Sequence, residues 1–203
     1  MAHRLNRLTV LAVLAATVPP GPTPVAAQQT ELPACEWCGA AEAPEDVDWR
    51  TTIAGPDERG ERLVLEGTVF EADGVTPAAG VLLYLYHTNA DGRYEPRGEV
   101  TGNERRHGAL RGWVRTRQDG RYRVETIRPA PYPNRREPAH IHLTVTPPGG
   151  EETWIDSVVF DDDPLVSADD RDRRTGRGGS GVVTLERDAD GVLHAVRDIV
   201  LEE

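Results

Sequence analysis

Lysine is absent from this chain: all 23 basic residues are arginine. That excludes chemistry built on a Schiff-base lysine, and it excludes a phosphate loop whose cation is the lysine of a Gly-rich motif. Cysteine is almost absent, with Cys35 and Cys38 the only two, so a four-thiolate zinc site lacks half its ligands. Their Cys-x-x-Cys spacing matches a redox dithiol, but the βαβ setting of such a site is missing. A local disulfide in an oxidising compartment is the expectation. No G-x-S-x-G occurs, and Gly178-Gly179-Ser180-Gly181 reads as a flexible loop rather than a nucleophile elbow. Cationic excess is lacking too. The formal net charge of −11 counts against nucleic acid or an anionic membrane as a partner.

Long hydrophobic runs are also missing. The apolar stretch Leu8–Val18 is too short to span a bilayer. It follows Arg4 and Arg7 and precedes a Pro/Gly stretch and Val25-Ala26-Ala27, the pattern of a cleavable signal peptide over residues 1–27. Export to the periplasm or the extracellular space is expected, with no membrane contact after cleavage. The N-terminus has no Arg-Arg pair, which favours the Sec route over the twin-arginine route. Residues 28–60, rich in Pro and acid, form an irregular N-terminal segment carrying Cys35 and Cys38, and residues 61–203 form one domain.

Short apolar or alternating runs fill that domain. Strands are expected at Arg62–Ala72, Val81–His87, Gly112–Arg117, Arg121–Ile127, His140–Thr146, Thr153–Phe160, Gly181–Arg187 and Val192–Leu201. Asp73-Gly74, Asp91-Gly92, Asp119-Gly120 and Asp190-Gly191 supply turns between them. No amphipathic helix of useful length follows the signal peptide. The fold class is all-β, a sandwich of mostly antiparallel strands.

His140-Ile141-His142 carries the chemistry. On a strand, residues i and i+2 share a face, so both imidazoles project together while Ile141 packs on the other side. Tyr132, held between Pro131 and Pro133, stands eight residues upstream and can add a phenol oxygen. Imidazole suits iron, copper and zinc alike, so the pair alone names no metal.

The order of the surrounding segments narrows the choice. Gly80–Tyr94 is an apolar strand, an Asn-Ala-Asp-Gly turn and a tyrosine. Asp119-Gly120-Arg121-Tyr122 leads to Thr126-Ile127-Arg128-Pro129 and Pro131-Tyr132-Pro133; then come Pro138-Ala139-His140-Ile141-His142 and Phe160-Asp161-Asp162-Asp163-Pro164. From about Leu63 to Pro164 this order resembles the intradiol ring-cleavage dioxygenases, the ferric enzymes that include protocatechuate 3,4-dioxygenase and catechol 1,2-dioxygenase. The resemblance implies Fe(III) held by Tyr94, Tyr132, His140 and His142. It implies a catechol-type substrate and O2 as partners, and a ring opened between its two hydroxyl-bearing carbons to a muconate-type diacid. It also gives Tyr132 a catalytic role, as the tyrosinate released to take a substrate proton.

Two positions depart from the family pattern. Glu137 stands where the family has an Arg before the Pro-Ala-His-Ile-His motif, and Ser157 stands where it has a Gln. A carboxylate at Glu137, if it faces the pocket, would disfavour carboxylated catechols. The chain also lacks the helical dimerisation region of the catechol-cleaving members, and its own oligomeric state is unknown. Ser167–Gly181 reads as a solvated loop or as a rim over the iron pocket. His87 aligns with a polar position near the family's pocket, and His107 reads as part of a surface loop. Two rival readings stay open on the residues alone. One is a non-catalytic transthyretin-like binding module, suggested by Gly67–Phe70, Asp73-Gly74, Pro77 and Gly80-Val81. The other is a copper or zinc protein built on His140 and His142.

Overall fold

The alternation of apolar residues builds two facing sheets. In the computed structural model the described residues are 35–98, 100–134, 136–172 and 176–202, so the signal peptide expected at 1–27 lies outside them. In chain order, a 3-10 turn at Ala40–Glu42 precedes β1 (Arg50–Thr52), β2 (Arg62–Phe70) and β3 (Leu82–His87). After these come α1 (Glu104–His107), β4 (Arg111–Arg115), β5 (Arg121–Ile127), β6 (His140–Thr146) and β7 (Thr153–Phe160). The chain ends through α2 (Ala168–Asp172), β8 (Val182–Val183), β9 (Glu186–Arg187), β10 (Leu193–Val196) and β11 (Ile199–Val200).

One sheet has the order β1-β5-β2-β10-β9, with β11 pairing the end of β2; the other has the order β4-β3-β6-β7-β8. Between them lies a core that includes Leu63, Leu65, Leu83, Leu85, Val124, Ile141, Leu143 and Phe160. Removing one such Leu, Ile or Phe side chain from water contributes about 1.5–3 kcal/mol. This period of two puts Ile141 and Leu143 inward, which leaves His140 and His142 on the outer face of their sheet. That face is not bare, because β3 is buried along its whole length. Its outward Tyr84 is covered by Gly39, where an added Cβ would meet the ring at 2.3 Å.

The long pairs β2–β5, β3–β4, β3–β6 and β6–β7 are antiparallel, as expected for a sandwich. Short parallel pairs flank them: β1–β5, β2–β10, β2–β11 and β7–β8. The first of these brings β1, from the segment before residue 61, into the sheet. The run expected at Gly181–Arg187 divides into β8 and β9 in different sheets, and the run expected at Val192–Leu201 divides at Arg197. The cause of the second break is local. Arg197 is buried, its backbone carbonyl meets Gly67 and accepts the Tyr122 hydroxyl, and its guanidinium donates to the carbonyls of Gly179 and Ser180.

Candidate active site

Two loops and one strand bring the site together. Beyond β3 the Asn89–Arg93 turn closes on itself, with Asn89 Oδ1 accepting the Asp91 and Arg93 amides at 3.0 Å each. This turn ends at Tyr94. It is laced to the loop that carries Tyr132: the Ala130 amide donates to the Asn89 carbonyl at 3.2 Å, and Thr88 Oγ1 donates to the Ala130 carbonyl at 2.6 Å. Gly92 makes that approach feasible. Its φ is +73°, and a Cβ there would lie 2.2 Å from the Pro131 carbonyl oxygen. At the start of β6 the Ala139 amide donates to Asp163 Oδ2 at 2.9 Å, so the Asp-Pro motif anchors the strand bearing the histidines.

The structure brings Tyr94, Tyr132, His140 and His142 to one point. Tyr94 Oη lies 2.8 Å from Tyr132 Oη and 3.1 Å from His142 Nε2. Tyr132 Oη lies 3.1 Å from His140 Nε2 and 3.4 Å from His142 Nε2, and the two Nε2 atoms are 3.0 Å apart. A strand register shift between Ile141 and Leu143 falls at His142, an irregularity of the kind that re-aims a side chain.

The far side of each imidazole sets its tautomer. His140 Nδ1 is 2.8 Å from the Pro138 carbonyl, which can only accept, so that nitrogen carries the proton. His142 Nδ1 lies 3.3 Å from Ser157 Oγ, a longer contact that fits the same tautomer. Both Nε2 lone pairs then face the phenol oxygens. Ligands about 2.0–2.1 Å from a shared ion, at cis or tetrahedral angles, lie about 2.8–3.4 Å from one another. The observed separations match that spacing, so these four residues could hold a metal ion.

Electrostatics points the same way. Burial, followed by its hydrogen bond to Tyr132 and nearby negative charge including Glu137, holds the Tyr94 phenol well above its ordinary range. Burial also raises Tyr132. His142 is pushed down to about 3 by burial and by the other histidines. The protein alone therefore keeps both phenols and His142 neutral, with lone pairs crowded together. A bound cation reverses that balance by stabilising phenolate and unprotonated imidazole. Among the described residues no group of three His, Cys, Asp or Glu side chains could hold a metal, so the cluster depends on its tyrosines.

A cavity of about 440 Å³ opens beside His142 and Ser157. Ser157, where the family has Gln, thus borders the cavity while contacting His142. Asp170 and Gly181, from the Ser167–Gly181 loop, lie in its wall, as do Trp37 and Trp154. Glu137 is exposed and is not part of that wall, and Arg136 is exposed as well. The Glu137 charge nonetheless reaches the cluster, where it helps to raise both Tyr94 and Tyr132.

His107 corrects an expectation. It is 2% exposed rather than on a surface loop. Its Nε2 donates to the Glu36 carbonyl at 2.8 Å, and its Nδ1 accepts the Tyr84 hydroxyl at 2.7 Å. Its ring stacks on Tyr86 at 3.7 Å, and Tyr86 stacks on His142 at 4.5 Å. The three rings form a column behind the metal-ligating candidate. His87 is buried between the Thr88 carbonyl and Thr126 Oγ1, and His194 pairs with Asp188 at 2.8 Å. Sequence reasoning missed Trp37, Trp154 and the Tyr86 column. The one available hint was a tryptophan enclosed by the two cysteines. These are indeed bonded to each other in the structure.

Comparison with known proteins agrees with this geometry. A family model described as Dioxygenase matches residues 37–191. The catechol 1,2-dioxygenase of Acinetobacter baylyi is 34% identical over 128 residues, covering 54% of this chain and 39% of that protein. The protocatechuate 3,4-dioxygenase beta chain of Burkholderia cepacia is 29% identical over 126 residues, covering 59% of this chain and 53% of that one. The chain thus spans about half the length of the curated relatives it matches, or less. The structure of catechol 1,2-dioxygenase from Acinetobacter sp. ADP1 superposes with a TM-score of 0.59 at 26% identity, covering 79% of this chain and 59% of that one. With a family match running over well more than half of its residues, this chain belongs to the intradiol ring-cleavage dioxygenase family.

Proposed function

We infer that the chain is a non-haem ferric dioxygenase that opens a catechol-type ring with O2, between the two hydroxyl-bearing carbons, to a muconate-type diacid. The observation that carries this reading is the convergence of Tyr94, Tyr132, His140 and His142 at mutual distances of 2.8–3.4 Å. Ferric iron, when bound there, supplies a Lewis acid that ionises phenols at neutral pH and a metal redox partner for the aromatic ring.

The protein's part is to hold and to release. Tyr94 is fixed by the self-closed Asn89–Arg93 turn and by Gly108, whose added Cβ would lie 2.9 Å from the Tyr94 carbonyl carbon. Tyr132 sits on a loop and is half-buried, so once ionised by a bound ferric ion its phenolate could leave the cluster and take a substrate proton at Oη, becoming the neutral phenol. His140 and His142 use Nδ1 toward Pro138 and Ser157, which keeps their Nε2 atoms aimed inward. Leu143, Ile155, Val159, Val166 and Val182 give that flank of His142 an apolar wall.

Reconstitution with iron under controlled redox conditions tests the reading. A red-brown protein with about one iron per chain is expected, from tyrosinate-to-Fe(III) charge transfer, and its band should shift on anaerobic addition of catechol. A colourless protein that binds copper or zinc in preference to iron would overturn it. Export is part of the same proposal. It is supported by the signal-type sequence at residues 1–27 and by the Cys35–Cys38 bond, which suits an oxidising compartment. N-terminal sequencing should find a mature chain starting near Gln28 with no free thiols. Retained Met1 in the cytosol would refute it.

A further inference from the structure

The cavity beside His142 has walls that a single-ring catechol does not need. Its volume, about 440 Å³, falls in the range of pockets for drug-sized ligands. Trp37 and Trp154 both line it and touch each other, with ring centroids 6.1 Å apart and planes tilted by 45°. Each is 42% exposed, a large apolar surface left open to solvent. Ile155, Val159 and Val182 add aliphatic surface. Among the described residues the wall holds no arginine and no histidine other than His142, and its carboxylates are Asp156 and Asp170.

Trp37 does not lie there by chance of a loose terminus. The segment that carries it is fastened on both sides. His107 Nε2 donates to the Glu36 carbonyl at 2.8 Å, and Asn103 Nδ2 donates to the Cys38 carbonyl at 2.7 Å. Glu152 accepts the Gly39 and Ala40 amides at 2.7 and 3.0 Å, and Trp113 Nε1 donates to the Gly39 carbonyl at 2.8 Å. The Cys35–Cys38 bond closes the short loop on which Trp37 stands. The Arg177 guanidinium lies over the Trp154 ring, 4.3 Å from its centroid, and pairs with Glu202. Two indoles are thus held, each partly open to solvent, next to the metal-ligating candidate.

We propose that Trp37 and Trp154 determine specificity by receiving an uncharged aromatic substituent, so that the substrate class is a catechol carrying a second, apolar ring. This rests on the ferric dioxygenase reading of the adjacent cluster. The physical argument is that a planar apolar group can pack against the exposed indole surface and remove it from water. A carboxylated substituent would gain nothing comparable from the indoles and would lie beside the carboxylate of Asp156.

The test uses the iron-loaded full chain with catechol, 4-phenylcatechol and protocatechuate. Measurements are kcat/KM for each and anaerobic titration followed by the iron charge-transfer band. Biphenyl-4-ol, which has the second ring but cannot chelate, is titrated separately by calorimetry. The wild type should prefer 4-phenylcatechol over both other substrates and bind biphenyl-4-ol. Trp37→Ala and Trp154→Ala should each reduce the 4-phenylcatechol-to-catechol ratio by about five- to tenfold. Trp37→Phe should restore most of that loss. An intact charge-transfer band in each variant shows that the metal cluster has survived. If the protein is coloured and cleaves catechol, but the ratio is the same in wild type and both Ala variants, the specificity proposal is wrong and the ferric reading stands. If no coloured, catechol-responsive iron protein forms, both fall together, and the absent band identifies that failure.

Discussion

Gly92→Ala should damage this protein at its metal cluster rather than merely at a turn. The substitution has two separable costs. An alanine at φ +73° costs about 1 kcal/mol relative to glycine, because its Cβ crowds the backbone in the left-handed region. The new Cβ would also lie 2.2 Å from the Pro131 carbonyl oxygen. Carbon and oxygen approach to about 3.3 Å without penalty, so the two loops must part by about 1 Å. Overpacking of that kind costs about 1–3 kcal/mol, for a total of about 2–4 kcal/mol. Gly74 is the control. Its φ is +70°, but an added Cβ there meets nothing within 4 Å, so Gly74→Ala should lose only about 1 kcal/mol. The loops that part at Gly92 carry Tyr94 and Tyr132, whose oxygens are 2.8 Å apart. Iron affinity, measured by competition with a chelator, should therefore fall by about tenfold or more in Gly92→Ala and stay level in Gly74→Ala. Urea denaturation of the metal-free proteins reads the stability difference. Equal destabilisation of the two variants, with equal iron affinity, would refute the lacing of the loops as the device that sets the tyrosines.

Three further outcomes are expected. Ser157→Ala removes the 3.3 Å partner of His142 Nδ1 and should lower iron affinity by about tenfold, the low end for such partners because the contact is long; chelator competition giving an unchanged affinity would show that Ser157 plays no part in holding the ring. Glu137→Arg should change the ratio of kcat/KM for protocatechuate and catechol by less than about fivefold, since an exposed charge outside the cavity wall is screened by water; a change of about a hundredfold would mean that Glu137 turns into the pocket. His87, buried and pushed down to about 4, makes stability pH-dependent. Its folded value lies below the unfolded value of about 6.5, so its contribution is complete above that pH and is lost as pH falls from there toward 4. The loss from this residue should be about 2 kcal/mol at pH 5, and urea denaturation of His87→Gln should show a correspondingly flatter pH dependence between pH 7.5 and 5.

Much of the site was legible in one dimension. His140 and His142 could be paired from sequence because a strand repeats every two residues, and the structure places both on the face away from Ile141. Tyr94 and Tyr132 belong to loops, which have no period; Tyr132 was marked by its place between two prolines just before the histidines, and Tyr94 only by its order among the family's motifs. The alternation of β2, β5, β6 and β7 was strong enough to mark those strands within a residue or two. The short pieces β1, β8, β9 and β11 were hidden or fused, because each is set by its partner strand rather than by its own pattern.

The sequence by itself determined the all-β class, the paired histidines and the proximity of the two cysteines, each a consequence of spacing along a few residues. Tertiary structure alone decided what surrounds them. Nothing local to Glu104–His107 says that His107 is buried against Tyr84 and Tyr86, and nothing near Glu137 says that its side chain stays outside the cavity. The meeting of Trp37 with Trp154 joins residues far apart in the chain, and it exists because Glu152, Asn103 and Trp113 fasten the disulfide loop to the sheet. Such contacts depend on which surfaces remain open after the sheets have packed, and no pattern within a single strand or loop encodes that.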